Sequence, residues 1–298
     1  MNATKRTYLL FGLLGLVWGP NFIYMKWALG LIAPSQIVFL RVLFGFVPLA
    51  FFAWRRHVIK RDQVRYLPQF TGMAVIATAF YYFAIVKGTA LLPSGVAGVL
   101  GGSIPSFTAI SSIIFLRTEK PNTVMAAGVV LGFAGITLIS RPWDGADSPI
   151  NISGVGWMLS ASMALGSSHV YARRFLSPYN LPSLALATWQ MGIALVILSA
   201  LTPFAGLSAL LHDWRAALGV VMGLGVLGTG TAFVIYYFLL QELGAVAASG
   251  STYITPTVAL LIGTVAGEKV GLTEFGAIAL ILLSIATLQL GRHRSATG

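Results

Sequence analysis

The stretch Gly101–Phe107 reads GGSIPSF, and Ser251–Val258 reads STYITPTV. Both lie in uncharged runs long enough to cross a bilayer, residues 95–116 and 245–266. In each, small polar residues lead up to a proline and aliphatic residues follow it. Proline removes a backbone donor and clashes with the preceding turn, so it bends or breaks a helix. In lipid the freed carbonyl needs a partner. The hydroxyls of Ser103, Ser106, Thr252, Thr255 and Thr257 can supply one, as can water in a cavity. Two readings follow: a packing kink, with glycines admitting a neighbouring backbone, or a mid-depth opening around Pro105 and Pro256. Recurrence in two places favours the opening.

The recurrence extends outward. Each proline-bearing run is followed by Glu-Lys, at Glu119-Lys120 and Glu268-Lys269. Upstream, TAFYYF (78–83) matches TAFVIYYF (231–238). WGPNFIYMK (18–26) faces LGSSHVYAR (165–173), and Pro34-Ser35 matches Pro182-Ser183. These agreements keep their order at a separation of about 150 residues.

Composition fixes the solvent. The chain has 298 residues, 57% hydrophobic and 9% charged, with mean hydropathy +0.84. Soluble domains carry roughly 25% charged residues, so the surroundings are lipid. A spanning helix needs about 20 apolar residues. Ten segments qualify: 8–29, 35–54, 68–86, 95–116, 122–140, 154–172, 182–202, 216–239, 245–266 and 272–290. The first reads as a retained span, because no small-residue cleavage site follows it. The net charge of +11 needs no nucleic acid, since the basic residues cluster in short loops. Thirteen of 19 Lys and Arg fall on the side holding both termini and five on the other, with Arg41 inside the second span. That bias puts both ends in the cytoplasm. The absence of cysteine excludes disulfides and thiolate chemistry.

Two units result, 8–140 and 154–290, each of five spans. Five is odd, so the second unit enters the bilayer from the opposite face. Halves related in this way can expose a shared site to either side in turn, which points to a transporter.

The motif order resembles that of the drug/metabolite transporter superfamily and its EamA-type members. It comprises WG…N in the first span, Arg41 in the second, a proline-containing fourth span ending in Glu-Lys and a glycine-rich fifth (GVVLGFAGI, 128–136). Within that group the chain looks most like bacterial exporters of amino acids, aromatic ones included. The resemblance implies an all-α protein of ten transmembrane helices, arranged as two inverted five-helix repeats. It also implies a central cavity lined by helices 1, 3, 4, 6, 8 and 9, and residence in a bacterial inner membrane.

The candidate site is read from residues expected at depth. Tyr82, Tyr237 and Tyr253 are deep, and the first two recur between halves; with Trp18 they would wall a pocket. Asn21, Ser103, Gln190 and Ser251 would supply polar contacts, and Pro105 and Pro256 the opening itself. Rings for an apolar part and a few amides and hydroxyls for charged groups suit a neutral or zwitterionic molecule. His169 either meets substrate or carries a proton, or simply bonds a backbone carbonyl. Arg41 can attract an anion, snorkel or brace a helix end, and the resemblance makes it structural. The spacings Gly15/Gly19, Gly98/Gly102, Gly128/Gly132 and Gly219/Gly223 read as helix contacts.

No Asp or Glu falls in the middle of a span, which argues against proton exchange of cationic drugs. A nucleotide-sugar or phosphometabolite carrier on the same scaffold would call for two or more convergent basic residues. A lipid-modifying intramembrane enzyme would need clustered carboxylates or histidines. The sequence contains no nucleophile–base set, metal cluster or phosphate loop, so no catalytic residue, metal or cofactor is expected. The expected partners are a small-molecule substrate and the bilayer, with the monomer as the working unit.

Overall fold

The computed structural model describes residues 3–116, 122–140, 150–244, 248, 250–267 and 271–297. The Glu-Lys pairs at 119–120 and 268–269 lie outside them.

All regular structure among the described residues is helical. Ten helical segments follow in order: α1 (Arg6–Leu29), α2 (Pro34–Arg55), α3 (Arg61–Leu91), α4 (Ser94–Phe115), α5 (Thr123–Ser140), α6 (Ile152–Tyr171), α7 (Ser183–Leu201), α8 (Trp214–Leu243), α9 (Gly250–Val265) and α10 (Leu272–Thr297). Seven are long and apolar enough on their own to cross a membrane. α6 carries more Ser and Gly, and α9 is shorter. Val130, Val196, Leu261 and Leu283 stand exposed on the outer faces, as expected where hydrocarbon rather than water is the solvent.

The packing repeats itself upside down. α1 packs on α8 and α9, and its counterpart α6 packs on α3 and α4. α2 packs on α8, as α7 does on α3. Three further contacts are their own counterparts: α2 on α7, α4 on α9 and α5 on α10. Every contact named here between different helices joins the same pair of places once the halves are exchanged.

The match reaches single residues. A Cβ on Gly19 of α1 would collide with Val258, two residues past Pro256. One on Gly166 of α6 would lie 2.8 Å from Cβ of Phe107, two residues past Pro105. Likewise Tyr171 of α6 sits where a Cβ on Gly72 of α3 would go, and Tyr24 of α1 does the same at Gly223 of α8. All four glycine spacings picked out in the sequence seat a neighbouring helix, which is how helices associate without water to drive them together.

Among the described residues, five helices depart from regular winding around the centre of the bundle, and α6 runs on into a π-helical turn at Ala172–Leu176. α1 stops at Trp18 and restarts at Asn21 across Gly19-Pro20. α4 stops at Gly101 and restarts at Ile104, so Pro105 sits in the first turn of a new helix. The sequence suggested a kink; the chain makes a full break, because a first turn has no use for the missing N–H. In α9 a short 3-10 turn, Gly250–Tyr253, precedes the helix holding Pro256. Both breaks reuse a serine: Ser103 donates to the Leu100 carbonyl at 2.6 Å and Ser251 to the Ala248 carbonyl at 2.8 Å. α3 and α8 contain π-helical turns, at Val75–Phe80 and Gly219–Thr231, just before their paired tyrosines.

Candidate functional site

α4 and α9 cross at their breaks, where a Cβ on Gly102 would lie 2.7 Å from Cγ of Pro256. Beside this crossing is a cavity of ≈ 30 Å³, room for about one water molecule. The centre of the bundle is thus tightly packed around a small space. The broken part of α1 contributes Trp18, Asn21, Phe22 and Met25. α3 gives Tyr81, Tyr82 and Ile85; α8 gives Phe233; α9 gives Thr252 and Thr255. Gly101 and Ile104 of α4 and Leu165 of α6 complete the wall, with Arg41 of α2. The lining helices are those the family resemblance implies, with α2 added.

Arg41 is 2% exposed, so it neither snorkels to a membrane face nor caps a helix end. Its Nε donates to the Thr229 hydroxyl at 3.1 Å. Its guanidinium carbon lies 3.6 Å from the centre of the Tyr82 ring, a cation–π contact. The Thr229 hydroxyl is also 3.2 Å from the Tyr82 hydroxyl and 2.8 Å from the Leu224 carbonyl. That carbonyl is five residues back along the π-helical stretch, so the irregular winding of α8 fixes Thr229 beneath the guanidinium. No carboxylate pairs with Arg41 among the described residues.

Trp18 donates its indole N–H to the Gly228 carbonyl at 3.1 Å, another π-helical residue. Two polar atoms of the wall are buried without a hydrogen-bond partner: Asn21 Oδ1 and Thr255 Oγ1. Burying such an atom unpaired costs roughly 1–3 kcal/mol. In a native structure each such atom calls for an explanation.

The structure gathers Trp18, Asn21 and Tyr82 at the cavity and, among the described side chains, keeps the other candidates out of its wall. Ser103 and Ser251 turn their hydroxyls onto their own backbone. Pro105 and Pro256 shape the breaks from behind. Gln190 donates to Thr78 at 2.7 Å and accepts a short hydrogen bond from the Tyr237 hydroxyl, so these two satisfy each other. His169 is fully buried between Thr108, 3.2 Å from its Nδ1, and the Tyr236 ring. Its Nε2 has no partner. The side chain of Tyr253 lies outside the described residues. Arg41, Tyr81, Phe233, Thr252 and Thr255, not picked out as candidates from the sequence, also line the cavity. Of these Arg41 carried the clearest signal, as the one Lys or Arg near the middle of a span.

The sequence matches the EamA-like transporter family twice, over residues 5–141 and 152–289. The chain belongs to the EamA-like transporter family. An "Uncharacterized transporter" of Archaeoglobus fulgidus is 26% identical over 269 residues, covering 90% of this chain and 93% of the relative. The "Uncharacterized inner membrane transporter YedA" of Escherichia coli (strain K12) is 26% identical over 290 residues, covering 93% and 89%. A "Probable terminal-alkyne amino-acid exporter" of Streptantibioticus cattleyicolor is 24% identical over 212 residues, covering 70% and 67%. A solved crystal structure superposes with TM-score 0.67 at 20% identity, covering 97% of this chain and 98% of its own, and so shares the EamA fold. This transporter is therefore an integral membrane protein of ten helices in two inverted repeats around a central cavity.

Proposed function

We propose that this transporter exports small amphipathic metabolites, above all neutral and aromatic amino acids, by alternating access. One observation carries the reading. The cavity at the crossing of the two repeats is walled by rings, Trp18, Phe22, Tyr81, Tyr82 and Phe233, with a few polar groups set among them. Rings accept an apolar side chain, while the guanidinium, amide and hydroxyls replace water at charged groups. The name of the Streptantibioticus relative, an amino-acid exporter, supports the substrate class. The bias of Lys and Arg supports two cytoplasmic ends in a bacterial inner membrane.

Alternating access follows from the symmetry. Halves built alike and inverted can open either face by similar motions, which supports this reading. His169, buried with one nitrogen unpaired, is the residue through which a proton gradient would act. The test is flux of radiolabelled amino acids from proteoliposomes of the purified protein, with and without a pH gradient. Export of aromatic amino acids is the expected result, and absence of flux for every amino acid would retire the reading. Flux indifferent to the gradient would make the protein a facilitator and remove the proton role of His169.

A further inference from the structure

A guanidinium carries its charge throughout the physiological range, and an uncompensated buried charge is among the costliest features a protein can hold. Arg41 is such a charge. Its contacts are the Thr229 hydroxyl and the Tyr82 face, which spread the charge without cancelling it. Of the eight Asp and Glu residues, none lies in the interior of a span. A permanent cation in the wall of the cavity, with no acid among the described residues to meet it, lacks only an anion of unit charge. The second observation is independent. Asn21 and Thr255 line the same cavity and are 6% and 7% exposed, and neither Asn21 Oδ1 nor Thr255 Oγ1 has a hydrogen-bond partner. An amide oxygen is an acceptor, and a hydroxyl can be one.

We infer that Arg41 is the carboxylate-binding residue of the central site, and that this transporter selects substrates by their carboxylate. Asn21 Oδ1 and Thr255 Oγ1 take the ammonium group of an α-amino acid. The inference rests on reading the cavity as the transported molecule's site, and it narrows that reading to a requirement on the substrate. Charge sets the class. A carboxylate balances one guanidinium, and a guanidinium fork fits its two oxygens. A phosphate monoester carries about −1.5 to −2 and would leave uncompensated negative charge in a dry site. An amine without a carboxylate would bring a second cation against the first.

The test is competition on the wild-type protein in proteoliposomes, so it does not depend on any variant folding. Efflux of labelled phenylalanine is challenged with phenylalanine, 3-phenylpropionate, phenylalaninamide and phenyl phosphate. Phenylalanine and 3-phenylpropionate are expected to compete within about tenfold of each other, with the propionate weaker for want of an ammonium. The amide and the phosphate are expected at least tenfold weaker than either. Equal competition by phenylalanine and its amide would overturn the carboxylate requirement while leaving amino-acid export intact. Stronger competition by phenyl phosphate would overturn it in favour of phosphorylated substrates. If phenylalanine is not transported at all, the export reading fails by itself. The anchor is then judged on protection of the purified protein from heat by 3-phenylpropionate against phenylethylamine, with equal protection overturning it. Arg41→Gln should lose carboxylate competition at least tenfold and Arg41→Lys should recover part of it; a merely structural arginine would show no such selective loss.

Discussion

Arg41 on α2 and Gln190 on α7 lie on counterpart helices of the two halves, one residue apart in the register set by Pro34-Ser35 and Pro182-Ser183. Each reaches a threonine and a tyrosine on the same two helices, taken in opposite order. Arg41 meets Thr229 of α8 and Tyr82 of α3; Gln190 meets Thr78 of α3 and Tyr237 of α8. The scaffold is the same and the chemistry is not. The glutamine uses both ends of its amide internally, so its cluster is closed and stays out of the cavity wall. The arginine leaves a net charge and stands in that wall. Counterpart helices thus carry polar residues with different fates: one is closed into a brace and the other stands in the cavity wall.

The largest expected effect tests the symmetry beneath this comparison. Gly19→Leu and Gly166→Leu each force a side chain into the matched contact beyond a broken helix, against Val258 and against Phe107. Overpacking where backbones touch costs about 1–3 kcal/mol or more. Both variants should lose the monodisperse peak on size exclusion in detergent, and a normal peak from either would break the equivalence of the two crossings.

Next come two substitutions with opposite signs. Arg41→Met removes a buried uncompensated charge, so it should abolish flux, by about a hundredfold or more, while raising the melting temperature. Gln190→Met strands the Tyr237 and Thr78 hydroxyls, so it should lower stability by about 1–3 kcal/mol. Melting curves of the two purified variants check the signs, and a shared sign would erase the distinction between brace and site.

The smallest effect sharpens the cavity side alone. Trp18→Phe keeps a ring in the wall but frees the Gly228 carbonyl from its indole donor. A loss of about 1 kcal/mol, with flux retained, is expected from thermal denaturation and liposome assays of that variant.

Much of this was legible beforehand because lipid is a strict solvent. It demands long apolar runs and closed helices, and glycines wherever backbones meet. The contacts of Gly19 and Gly166 were thus visible as a repeated motif. Tyr82 and Trp18 were legible as deep aromatics. Other candidates turn their polar groups away from the cavity for local reasons. Ser103 and Ser251 look available, but a serine can bond its own backbone a turn earlier, and a broken helix offers the carbonyl for it. Gln190 and Tyr237 look like binding groups until each is seen to satisfy the other. Arg41 was ambiguous because sequence gives depth along a helix but not the neighbours across it. Those neighbours depend on the π-helical turns of α8, whose extra residue per turn sets Thr229 under the guanidinium. Nothing in GVVMGLGVLGTGT announces that winding.

The central claim is that one shut site between inverted halves opens to each side in turn. Met25 lines the cavity and is fully buried, and the chain has no cysteine. Met25→Cys therefore gives a single reporter, to be labelled by a membrane-impermeant maleimide in membranes oriented either way. The account predicts labelling from both faces, slowed from both by a saturating substrate. Labelling from one face only, under every condition tried, would contradict it.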